Sequence, residues 1–77
     1  MYYDKDISGT RIKTLRVAAN MSQNDLAIKA GITQSAVSQY ESNQYRLYPD
    51  VAIRLAVALD TTPAYLMALD TVTPEPA

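Results

Sequence analysis

The chain has 77 residues, a formal net charge of −1, no cysteine and no histidine. That length holds one domain, and a chain so small buries only roughly 60% of its unfolded surface, so its core has to be efficient. Without cysteine there is no disulfide framework and no thiolate metal site. Without histidine the usual general base and the commonest metal ligand are missing, so neither an enzyme nor a metal or cofactor is expected. No run of about 18 apolar residues could span a membrane. The opening residues MYYDKDISG lack the apolar segment of a signal peptide, which leaves a cytoplasmic protein as the expectation.

Apolar residues recur at helical spacing along most of the chain, and only two glycines interrupt it, so an all-α fold of five helices is expected. A first helix runs from about Ser8 to Ala19, marked by Ile12, Leu15 and Ala19. Ser22 opens a second, with Asp25 three residues on as a short version of the capping box. Leu26, Ala27 and Ala30 face inward there, and Gly31 ends it where left-handed backbone is wanted. Thr33 caps a third helix that buries Ala36, Val37 and Tyr40. Pro49 and Asp50 open a fourth, with Val51, Leu55, Ala56 and Leu59 buried. Thr62 caps a fifth, Pro63 takes its first position, and Tyr65, Leu66 and Leu69 pack back. Asn20, Asn43 and Asp60 each follow a periodic segment, and Asn and Asp tolerate the left-handed conformation best after Gly. Such stops favour short helices and sharp corners. Residues 1–69 read as the folded domain and 70–77, DTVTPEPA, as a flexible tail or the start of a linker to a further domain.

The third helix is coloured oddly. At about 100° per residue, Gln34, Ser38, Ser42, Ser35 and Gln39 fill one arc of about 140°, and none is charged. Ala36, Val37 and Tyr40 take the opposite side. Solvated faces usually carry Lys and Glu. Gln pairs in bidentate fashion with adenine, Ser accepts or donates, and Ser35 and Ser38 are small enough to let a helix sink into a major groove. The second helix would then cross the DNA backbone, offering its N-terminal amides and Gln23 to a phosphate. A short helix, a Gly turn and a second short helix make a helix-turn-helix. Charge agrees: residues 11–48 hold Arg11, Lys13, Arg16, Lys29 and Arg46 against Asp25 and Glu41, whereas residues 49–77 hold Arg54 against Asp50, Asp60, Asp70 and Glu75. The basic surplus surrounds the uncharged face.

The stretch RIKTLRVAANMSQNDLAIKAGITQSAVSQYESNQ, with YPDVAIRLAVALDTTPAYLMAL after it, resembles the lambda-repressor-like (Cro/CI-type, XRE) helix-turn-helix family over about residues 11–69. The resemblance implies that Gln34, Ser35, Ser38 and Gln39 read bases. It implies that Ser22, Gln23, Thr33, Ser42 and Asn43 meet the backbone, and that Arg16 and Glu41 form a structural salt bridge between the first and third helices. The chain departs from the family in having Asn20, Asn43 and Asp60 where Gly is usual, and a longer loop from Glu41 to Pro49. Tyr45 and Arg46 in that loop extend over the DNA backbone, or else the loop's tyrosines pack under the loop.

The expected protein is therefore a sequence-specific binder of double-stranded DNA, a phage- or bacterial-type repressor. One domain offers a small footprint, so a homodimer on a pseudo-palindromic operator is expected. Tyr65, Met67 and Leu69 of the fifth helix either form its dimer surface or only close the core. The competing reading is an antitoxin or anti-repressor that uses the same fold to hold a protein partner.

Overall fold

Three helices begin at a hydroxyl residue that satisfies an open amide, and each helix is followed within two residues by a left-handed one. The computed structural model describes residues 5–69, among which five helices and no strand occur: α1 (Lys5–Ala18), α2 (Gln23–Ala30), α3 (Gln34–Glu41), α4 (Pro49–Leu59) and α5 (Pro63–Leu66). The expected tail, residues 70–77, lies outside the described residues. No described helix is long and apolar enough to cross a membrane.

Ser22, Thr33 and Thr62 are the N-caps of α2, α3 and α5, their hydroxyl oxygens accepting from the amides of Asp25, Ala36 and Tyr65. Pro49 and Pro63 occupy first-turn positions where no amide is needed. At α2 the capping box is complete. Ser22 Oγ accepts from the Asp25 amide at 3.0 Å, and Asp25 Oδ2 accepts from the Ser22 amide at 2.9 Å. The Ser22 amide and hydroxyl hold the Asp25 pKa below its ordinary value. A carboxylate depressed on folding stabilises the fold above its unfolded pKa, and that contribution is lost as pH falls through the folded one. Acidification through the carboxylate range is thus expected to weaken the domain, and Asp25→Asn to flatten that part of the profile. Urea midpoints taken from neutral to acid pH test this, and parallel profiles for the two proteins would contradict it.

Left-handed residues make the corners. Asn20, Asn43 and Asp60 have φ of 59°, 61° and 56°, and Gly31 has 73°. The amides that follow reach back over each helix end, as Met21 does to Arg16 at 3.1 Å and Ile32 to Ala27 at 3.0 Å. Ala68 is the unforeseen member, with φ of 59°. Its turn stops α5 at Leu66, so Leu69 is left 49% exposed instead of packing back. Tyr65 is also 40% exposed, with the Arg11 guanidinium stacked 4.1 Å above the centroid of its ring. Only Leu66 of the three residues expected to pack is fully buried.

The helices close on a core of Ile12, Leu26, Val37, Leu55, Leu59 and Leu66, filled in with Ala27, Ala30, Ala52, Ala56 and Ala58. The small residues let helix axes approach closely, and α4 packs against α2, α5 and α1. Leu47, expected to be loop, is 3% exposed and plugs the core from the α3–α4 connection. At the other end α1 starts at Lys5, a turn earlier than Ser8. Ser8 and Gly9 are buried within it, because that first turn lies against the end of α3.

Gly9 is needed for that approach. A Cβ there would sit 2.5 Å from Asn43 Oδ1 and 2.6 Å from the Glu41 carbonyl oxygen. The Gly9 amide instead donates to Asn43 Oδ1 at 3.0 Å, across 34 residues of sequence. Gly9→Ala is expected to cost about 1–3 kcal/mol by overpacking. Adding Asn43→Gly should not rescue it, since the Glu41 carbonyl stays in the way. Chemical denaturation of both variants decides, and a rescued double variant would show that the clash lies elsewhere.

Candidate nucleic-acid interface

The face of interest is built on α3, which is joined to α2 by Gly31, Ile32 and Thr33. Val37 is fully buried and Ala36 and Tyr40 are half-buried, so the helix is anchored along one side. Gln34, Ser35 and Ser38 are exposed on the other, and their side chains make no hydrogen bond within the described residues. Gln39 is half-buried, its carbonyl accepting the Gln44 amide at 2.9 Å as the chain leaves the helix. These four side chains share one solvent-facing arc on a helix fixed by the core.

Glu41, the one charged residue of α3, is turned away from that arc. Its carboxylate takes Arg16 Nε at 2.6 Å, Arg16 Nη2 at 3.1 Å and Gln23 Nε2 at 3.2 Å. Arg16 Nη1 also donates to the Met21 carbonyl at 2.8 Å. The two side chains are only 12% and 4% exposed. The hydrogen bond that Arg16 donates to Glu41 raises the Arg16 pKa above its ordinary value, while burial opposes it. One bidentate pair therefore ties α1, the α1–α2 corner, α2 and α3 together, and it removes the negative charge a phosphate would meet.

The residues expected at the backbone have mixed surroundings. Thr33 and Ser22 use an oxygen lone pair for capping, which leaves each hydroxyl proton able to donate. The Ser22 corner also carries the Asp25 carboxylate, an unfavourable neighbour for an anion. Gln23, the first residue of α2, spends an amide proton on Glu41. Ser42 turns its hydroxyl back, donating to the Ser38 carbonyl at 2.9 Å. Asn43 Oδ1 holds the Gly9 amide. Tyr45 is 49% exposed and stands edge-on to Tyr40, with ring centroids 5.6 Å apart. The Arg46 guanidinium lies 5.7 Å from the centroid of the exposed Tyr48 ring. Burial raises the Tyr40 phenol pKa, so Tyr40 remains a neutral ring beneath the loop.

The basic surplus of residues 11–48 is thus divided. Arg16 serves Glu41, and Arg11 serves α5 by donating to the Tyr65 carbonyl at 2.9 Å beneath its guanidinium–ring stack. Lys13, Lys29 and Arg46 are the exposed cations. Gly9 was the contributor that the sequence concealed. An isolated glycine in a helical pattern was its signal, since such a residue usually has a packing reason.

Two short helices joined at a left-handed glycine, the second anchored on one side and presenting an exposed polar arc, define a helix-turn-helix domain. The chain belongs to the helix-turn-helix family (HTH_3), whose model matches residues 12–66. It is similar to the restriction-modification controller protein C.AhdI from Aeromonas hydrophila: 35% identity, TM-score 0.77, 84% of this chain and 98% of that one covered. It is also similar to SinR, the master regulator for biofilm formation, solved in complex with DNA: 30% identity, TM-score 0.73, covering 78% and 97% of the two chains. A third relative is the P22 c2 repressor, solved with synthetic operator 9T: 28% identity, TM-score 0.75, covering 79% and 92%. No curated protein sequence matches the chain.

Proposed function

We propose that this chain, a DNA-binding transcriptional regulator by family and fold, is a cytoplasmic repressor that reads the major groove with α3. Gln34, Ser35, Ser38 and Gln39 contact base edges. Ser22, Gln23, Thr33, Ser42, Asn43, Tyr45 and Arg46 hold the sugar–phosphate backbone. The observation that carries this is the exposed, uncharged arc of α3 beside a Glu41 already neutralised by Arg16 and Gln23. Hydroxyls and amides discriminate bases, and a charge-free face avoids repelling the phosphates on either side of the groove. Residues 1–69 act as the DNA-binding domain, with 70–77 as a tail or linker.

A single domain of this kind covers on the order of 600–1,000 Å², which is modest for tight binding. Two copies on a pseudo-palindrome supply the rest, with half-site centres about 10–10.5 bp apart or a multiple of that. Selection of bound duplexes from a random pool tests the reading. A consensus with twofold symmetry at that spacing is the expected result. Recovery of no consensus would point instead to a protein-binding use of the fold, such as an antitoxin or anti-repressor.

A further inference from the structure

The outward face of α4 carries two parallel rows at a spacing of four residues. Pro49, Ile53 and Val57 form an apolar row, and Asp50 and Arg54 form a charged row beside it. All five are exposed, Ile53 by 52% and Val57 by 78%. The opposite side of α4 supplies Ala52, Leu55, Ala56 and Leu59 to the core, and none of the described residues covers the outer rows. Pro49, Ile53 and Val57 make a contiguous exposed apolar row, and a row of that kind rimmed by charges suits an interaction surface.

We propose that the occupant is a second copy of this chain, its α4 antiparallel to the first with Ile53 on the twofold axis. This rests on the regulator reading above, which calls for two copies on DNA. The face is self-complementary in that arrangement. Each Val57 meets the second copy's Pro49, and the two Ile53 side chains meet at the centre. The twofold keeps both charged rows on the same flank, where each Asp50 lies beside the second copy's Arg54. Parallel pairing about a twofold along the helices would instead put the two charged rows on opposite flanks, where neither meets the other. Moving the axis one turn to Val57 would set Ile53 against Thr61 and lose the apolar match.

The fifth helix is the weaker candidate, because the Tyr65 ring and carbonyl are both engaged by Arg11. Arg54 stands at the flank of α4, its Nη1 3.1 Å from where a Cβ on Gly31 would be, and is exposed. A single helix pair falls below the roughly 1,200 Å² of a standard stable interface, so the dimer is weak in solution and completed on DNA.

Sedimentation equilibrium of the full chain, from micromolar to near-millimolar concentration, tests the pairing. The wild-type chain is expected to show a reversible monomer–dimer equilibrium. Val57→Glu and Asp50→Arg should each raise its dissociation constant about tenfold or more. The charge-swapped variant Asp50→Arg/Arg54→Asp should return it to near the wild-type value, and Leu69→Glu on the α5 side should leave it unchanged. The substituted positions are exposed, and an unchanged circular dichroism spectrum confirms folding. A wild-type chain monomeric throughout, a charge swap that restores nothing, or dissociation caused by Leu69→Glu would each overturn the proposal. Duplex binding is a separate readout: dimers that bind no selected DNA would sink the regulator reading and leave this interface standing.

Discussion

Glu41→Gln is expected to be the most damaging single change in the molecule, costing about 3–5 kcal/mol of stability, because it strands the Arg16 charge in a largely buried setting. The substitution keeps the shape of the side chain but replaces one accepting oxygen with an NH₂ group. That group would then face Arg16 or Gln23, both of which donate. At about 0.05–0.15 kcal/mol per residue, a 77-residue chain has total stability comparable to this loss. Each kcal/mol moves Tm by about 4–8 °C in a domain of this size, so a fall of tens of degrees is expected. Replacing both partners, Arg16→Met with Glu41→Leu, should recover most of it, since an apolar pair carries no desolvation cost. Thermal unfolding of the three proteins checks this. A single variant that melts within a few degrees of wild type would mean that the pair contributes little.

The second large effect is on recognition. Gln34→Ala with Gln39→Ala is expected to weaken binding to the selected duplex by about 2–6 kcal/mol, from about 1–3 kcal/mol for each base contact. Stability should barely change, because Gln34 is exposed and the part of Gln39 used by the fold is its backbone carbonyl. Affinity for random duplex should also hold, since phosphate contacts supply it. Titration of both proteins against selected and random duplexes measures the difference. An equal loss on the two would show that these side chains support the helix and do not read bases.

Local chemistry explains which parts of this fold could be read without coordinates. Ser22, Thr33 and Thr62 were legible as caps because capping joins residues three apart. Asn20, Asn43 and Asp60 were legible as left-handed stops because their side chains tolerate that backbone. Ala68 adopts the same conformation without that chemistry, and its full burial shows that tertiary packing sets it. Leu47 was hidden for a related reason: a single apolar residue among Tyr45, Arg46 and Tyr48 has no periodicity to reveal its burial.

The interface divides in the same way. The uncharged arc of α3 follows from helical periodicity, and the structure adds only that Gln39 is half-buried. The contacts of Gln23 with Glu41 and of Gly9 with Asn43 span 18 and 34 residues, and periodicity within one helix says nothing about such distances. Family resemblance supplied the Arg16–Glu41 pairing, and the structure shows why it suits this face. The same carboxylate that joins three helices would otherwise stand as the only charge on α3.

Reading of bases by α3 is the central claim, and a binding matrix tests it most directly. Wild type and Gln34→Ala would be titrated against the selected duplex and each of its single-base-pair variants, at several salt concentrations. Wild type is expected to discriminate at every consensus position, and Gln34→Ala to lose discrimination at one base pair per half-site. The slope of log affinity against log salt should be the same for both, because the phosphate contacts are intact. A uniform loss across all duplexes, or a changed salt slope with base preferences retained, would contradict it.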